Sequence, residues 1–118
     1  MYLQGIGDRS ATSKEEVYAY VDLLKREDGG RAFLKIMRGF ERTHEKRVLY
    51  EGTVRNVPYP VQIVWGSEDP ALTLSVHGEQ ARRAAGLEEI QTVPAKHFLQ
   101  EEQAPAISEW VAKLARSA

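Results

Sequence analysis

Apolar residues recur with a helical period near the start of the chain. Val17, Tyr20, Val21 and Leu24 fall at i, i+3, i+4 and i+7, which puts them on one helix face. Ser13 precedes this run and Glu16 follows three residues later, the spacing of a capping box. Asp28-Gly29-Gly30 stops the helix, because glycine accepts the left-handed conformation a C-cap needs. Phe33, Ile36, Met37 and Phe40 then repeat the spacing. Residues 13–41 are therefore expected to form a helical pair with two large apolar faces. Residues 44–56 suit a third helix with Val48 and Leu49 inward, weakened by Gly52. Residues 1–12 show no period and read as irregular.

The pattern changes after Asn56. Pro58 and Pro60 force extended backbone on the residues before them. Val61 to Trp65 is a β-rich run that ends at Gly66, and it suits a strand buried on both faces, as in a parallel sheet. A helix is expected over roughly 73–85, closed by Gly86. A second strand lies within Leu87 to Val93, with Ile90 and Val93 apolar, and Pro94 closes it. Ala104-Pro105 opens a last helix, with Ile107, Trp110, Val111 and Leu114 on one face. Strand, helix, strand, helix at these lengths predicts a parallel, right-handed βαβ unit. The fold class is thus α/β, with a helical part over residues 1–56, irregular at 1–12, and a β-α-β-α unit over 57–118.

Composition narrows the function classes. The chain has 118 residues, enough for one domain. A net charge of −1 gives no basic excess for nucleic acid and no polybasic run for a membrane surface. Without cysteine there is no disulfide and no thiolate chemistry. No apolar stretch approaches the roughly 18 residues of a membrane span. A cytoplasmic protein is the expectation. No His or acidic cluster has metal-ligand spacing.

In open parallel sheets, functional groups gather beyond the carboxyl ends of the strands. Asp69 follows the first expected strand and His97 the second. Adjacent strands bring both to one edge. A carboxylate there accepts the imidazole Nδ1–H and fixes the tautomer, leaving Nε2 as a general base. The plainer alternative is an Asp that forms a turn before Pro70 and a surface His near a helix start. Glu68 is the second choice for the acid. Glu101 and Glu102 sit near the start of the last helix, where carboxylates favour its dipole; they are also placed to support His97. His44 and His77 lie among charged residues and read as solvated. Trp65 and Trp110 read as core.

The letters themselves carry more than the spacing does. Val61-Gln62-Ile63-Val64-Trp65-Gly66-Ser67-Glu68-Asp69-Pro70 and Lys96-His97-Phe98-Leu99-Gln100-Glu101-Glu102 resemble the end of α/β-hydrolase-fold enzymes, most of all the haloalkane dehalogenase and epoxide hydrolase branch. In those enzymes Trp-Gly-x-x-Asp places the triad acid and His-Phe-x-Gln-Glu the triad histidine. Asp69 and His97 match these positions. Ala95-Lys96 departs from the usual glycine-rich approach to the histidine. The resemblance covers residues 57–116 and is weaker upstream. It implies that residues 13–41 are the last helices of a cap domain over the active site, and that 44–56 return from cap to core. Phe33, Met37 and Phe40 would then line a substrate pocket from the cap, or else serve as plain core. No cofactor is implied, and the substrate would be small and apolar: a halide, an epoxide or an ester.

The resemblance also exposes a gap. Such enzymes carry an Asp or Ser nucleophile on an elbow of the Gly-x-Ser-x-Gly type. None of Ser10, Ser13, Ser67, Ser75, Ser108 and Ser117 has glycines at that spacing, and no Asp has an equivalent setting. His77-Gly78 lies inside the expected crossover helix, the wrong context for an oxyanion hole. The chain therefore reads as the C-terminal part of such an enzyme, with an incomplete sheet. The nucleophile would come from a missing N-terminal half or a partner chain. Two unpaired sheet edges and an uncovered Phe33, Ile36, Met37 and Phe40 face point the same way, unless the chain dimerises or swaps. The rival reading is a non-catalytic remnant or interaction module of the same fold. A nucleotide-binding βαβ module is disfavoured, because no glycine-rich loop follows either strand.

Overall fold

A computed structural model describes residues 4–117 of the chain. Helices α1 (Lys14–Lys25), α2 (Arg31–Arg38) and α3 (His44–Arg55) come first. Strand β1 (Val64–Gly66) follows. A π-helical turn, Leu74–Gly78, runs directly into α4 (Glu79–Ala85). Strand β2 (Gln91–Val93), a short α5 (Leu99–Glu102) and α6 (Ala104–Ser117) complete the chain. The molecule is a helix-rich mixed α and β structure around a parallel two-stranded sheet. Its register pairs Val64 with Gln91, Trp65 with Thr92 and Gly66 with Val93.

Local chemistry explains the boundaries. Ser13 and Glu16 close a reciprocal capping box at the start of α1. Thr43 caps α3 by accepting from the Lys46 N–H. Gly86, at φ +70°, is the left-handed residue that ends α4. Arg55 donates to the Ala84 and Arg83 carbonyls, which ties α3 to the C-terminal end of α4. Gly78 is buried against Trp65 and Ile90, and its missing Cβ lets the crossover approach the sheet closely.

Several expectations need correcting. The first strand is shorter than Val61 to Trp65, and those residues are only half-buried. With no further strands or covering layer among the described residues, burial on both faces is not reached. The second strand likewise holds only Gln91–Val93 of the expected run. Helix α2 stops at Arg38, so Phe40 lies beyond it. Val48 and Leu49 do not point inward: they are 55% and 57% exposed. Trp65 and Trp110 are half-buried rather than core. The Trp65 Nε1–H donates to the Leu72 carbonyl at 2.9 Å, and Lys113 Nζ sits 4.2 Å above the Trp110 ring. His77 is half-buried rather than solvated, with its Nδ1 enclosed and unpartnered among the described residues.

The core lies elsewhere than on the helical faces. Its buried apolar residues are Ile6, Val93 and Ala95. The segment that read as irregular is therefore built into the structure, at the exit of β2. Residues 1–3 lie outside the described residues. By contrast Phe33, Leu34, Ile36 and Met37 of α2 are all well exposed. The Cα radius of gyration is 16.4 Å, against about 13.5 Å for a compact chain of this length. The accessible surface is 9087 Å², where a compact monomer of this mass has roughly 6,500 Å².

Candidate active site

Strand β1 ends where the chain must turn beside the exit of β2. A Cβ on Gly66 would lie 2.3 Å from the Lys96 carbonyl oxygen and 2.6 Å from that of Ala95. Only glycine permits that approach. The turn after it is stitched to the neighbouring segment: Ser67 N–H donates to Val93 and Glu68 N–H to Ala95, at 2.9 and 3.0 Å. Asp69 N–H closes back on the Gly66 carbonyl. Pro70 follows, and the Asp69 Oδ1 accepts from the N–H groups of Ala71 and Leu72 at 2.8 and 2.9 Å. Such an Asx turn fixes the carboxylate before any other side chain reaches it.

His97 arrives from β2. Its neighbours are held on both sides: Lys96 N–H donates to Glu102, and Phe98 N–H donates to the Gly5 carbonyl. The imidazole Nδ1 lies 2.8 Å from the remaining Asp69 oxygen, Oδ2. The two side chains differ in exposure: Asp69 is 6% accessible and His97 39%. Burial pushes the Asp69 carboxyl up, but the Leu72 N–H, the His97 contact and the Ala71 N–H outweigh it, and its pKa falls below the ordinary value of 3.8. An ionised Asp69 accepts the Nδ1–H of His97 and leaves Nε2 as the proton acceptor. Nε2 has no hydrogen bond among the described residues. His97 lines a cavity of about 230 Å³ together with Gln4, Gly5, Pro70, Ala71 and Phe98. That lining is mostly apolar and suits a small ligand.

The structure thus joins Asp69 to His97 and leaves Glu68 exposed. It does not bring the other candidates to them. Phe33, Met37 and Phe40 are 41%, 53% and 64% exposed, and none lines the cavity at His97. Phe40 instead borders a separate cavity of about 430 Å³ with Ile36 and Tyr50. Glu101 accepts from the Tyr20 hydroxyl at 2.7 Å. Four of the serine hydroxyls have local partners. Ser10 donates to Asp8, Ser67 to the Val93 carbonyl and Ser108 to the Pro105 carbonyl, while Ser13 accepts from the Glu16 N–H. Among the described residues no group of His, Asp and Glu could hold a metal ion, and no helix is long and apolar enough to cross a membrane.

The sequence reading missed Gln4 and Gly5 as cavity wall. The available signal was slight: a lone Ile6 between two glycines, with no period to mark it. No family model, curated protein or solved structure matches this chain.

Proposed function

We propose that this chain supplies the acid and the general base of a cofactor-independent hydrolase of the α/β-hydrolase type. The nucleophile lies outside the chain, on a further segment or a partner chain. Asp69 orients His97, and His97 activates water against an ester intermediate formed on that nucleophile. The substrate is small and largely apolar. The observation that carries this reading is the 2.8 Å contact between His97 Nδ1 and Asp69 Oδ2, with the other Asp69 oxygen already anchored by two backbone N–H groups. A turn-forming Asp and a surface His have no need of each other; here one carboxylate does both jobs.

The surface supports the need for a further component. The chain exposes roughly 2,600 Å² more than a compact monomer of its mass. Large apolar residues of α1, α2 and α3 account for much of that exposure. An obligate interface buries about 1,000 Å² or more per partner, so a completing segment or subunit fits the excess.

Hydrolysis by the chain alone and by the chain joined to its completing part tests the proposal. The isolated chain should hydrolyse a generic ester no faster than background. The complete assembly should turn over and lose turnover in His97→Asn. Retained hydrolysis in that variant removes His97 from the role.

A further inference from the structure

Glu102, one of the two carboxylates expected to support His97, makes three backbone contacts. Its Oε1 accepts the backbone N–H groups of Gly7 and Asp8, the latter at 2.6 Å. Its Oε2 accepts the Lys96 N–H at 3.0 Å. One carboxylate therefore spans two strangers in sequence: the segment that walls the cavity and the residue just before His97.

The glycines show that this approach is built in. A Cβ on Gly7 would lie 2.8 Å from Glu102 Oε1. A Cβ on Gly5 would lie 2.7 Å from the Phe98 ring and 3.2 Å from the His97 Cβ. Between them Ile6 is 1% exposed and anchors the segment in the core. The Gly5 carbonyl then accepts the Phe98 N–H at 2.9 Å. The Phe98 ring stands edge-on to the His97 ring, with centroids 5.1 Å apart. Gln4 and Gly5, which wall the cavity, lie just before the Gly7 and Asp8 N–H groups that Glu102 holds.

We propose that Glu102 is a positioning residue: its carboxylate clasps the Gly5–Asp8 segment to the His97 approach, so that the cavity wall and the His97 imidazole hold one fixed relation. This rests on the reading of His97 as base. The chemistry requires two acceptor oxygens. A glutamine at 102 presents one acceptor and one NH₂ group, and the latter meets an N–H as donor against donor. Glu102→Gln therefore opens one side of the clasp while keeping shape and length.

The test uses the full chain in solution by NMR. Two signals are followed: the contact between the Gly5 α-protons and the Phe98 ring, and the downfield Nδ1–H resonance of His97 on Asp69. In Glu102→Gln the Gly5–Phe98 contact should be lost and the Nδ1–H resonance should broaden. Amide exchange at Lys96, or at Gly7 and Asp8, should rise about tenfold or more, as befits loss of a charge-assisted bond. Contacts between β1 and β2 should persist. Gly7→Ala should reproduce the opening with the carboxylate still present, which keeps the test decisive if the first variant unfolds. Retention of the Gly5–Phe98 contact and of slow exchange in both variants overturns the clasp, whatever His97 does. Absence of the Nδ1–H resonance in the unaltered chain refutes the acid–base reading instead, and leaves the clasp to stand or fall on the Gly5–Phe98 contact.

Discussion

Asp69 has two jobs that two substitutions should separate. Its Oδ1 satisfies the Ala71 and Leu72 N–H groups, and its Oδ2 faces His97. In Asp69→Asn the amide oxygen keeps both backbone bonds, and the NH₂ group turns to His97. That NH₂ is a donor, so the imidazole must offer Nδ1 as acceptor and carry its proton on Nε2. The turn survives, and the net cost is about 1 kcal/mol, the difference between a charged and a neutral hydrogen bond. In Asp69→Ala all three bonds go. Two backbone N–H groups in a turn whose carboxylate is 6% accessible lose their acceptor, which adds roughly 1 kcal/mol or more for each, and a total of about 3 kcal/mol is expected. Urea unfolding gives both numbers from the shift in midpoint at constant slope. Imidazole ¹⁵N shifts give the tautomer. In the complete assembly Asp69→Asn should lower kcat by about 10⁴, since the wrong tautomer cannot accept the proton. Equal stability of the two variants, or an Asn variant that keeps the proton on Nδ1, refutes the division of labour between the two oxygens.

Other consequences are also measurable. Because the native Asp69 carboxyl lies below its ordinary value of 3.8, its contribution is complete above that pH and is lost as pH falls from 3.8 towards the lowered native value. Urea unfolding from pH 6 to pH 2 should show this extra acid loss in the unaltered chain and not in Asp69→Asn; parallel curves contradict it. Gly66→Ala should destabilise by about 2 to 3 kcal/mol and break the Asp69–His97 contact, because its Cβ meets two backbone carbonyls. A thermal melt within error of the unaltered protein removes that argument. The isolated chain should associate or bind an apolar dye through the exposed residues of α1, α2 and α3. A monodisperse monomer with a radius of gyration near 13.5 Å in scattering refutes the open surface.

Much of the site was legible because it rests on short-range rules. Asp69 and His97 each follow a run of β-forming residues, and parallel neighbours put such residues on one edge. The Ser13–Glu16 box and the Gly86 cap were legible for the same reason: each is a local hydrogen-bonding solution. Strand length was not. Residues 61–63 have strand composition, yet a ladder also needs a partner, and β2 supplies one for only three residues. The helical faces show the same limit. The period of Phe33, Ile36 and Met37 marks an apolar face correctly, but period does not say whether anything covers it. The Gly5–Asp8 segment was illegible for the opposite reason. Its contacts to Phe98 and Glu102 cross more than ninety residues, and its close approach depends on the absence of side chains at Gly5 and Gly7.

The central claim is that His97 serves a nucleophile lying outside these 118 residues. Intact mass spectrometry of the complete assembly carrying His97→Asn, after exposure to a small alkyl halide, tests it most directly. A carboxylate nucleophile displaces halide without a base, whereas water attack on the resulting alkyl ester needs one, so the second step stalls. The account predicts a covalent adduct with the mass of the bound alkyl group, located outside residues 1–118, together with loss of turnover. Continued turnover, or an adduct mapped to a residue within this chain, contradicts it.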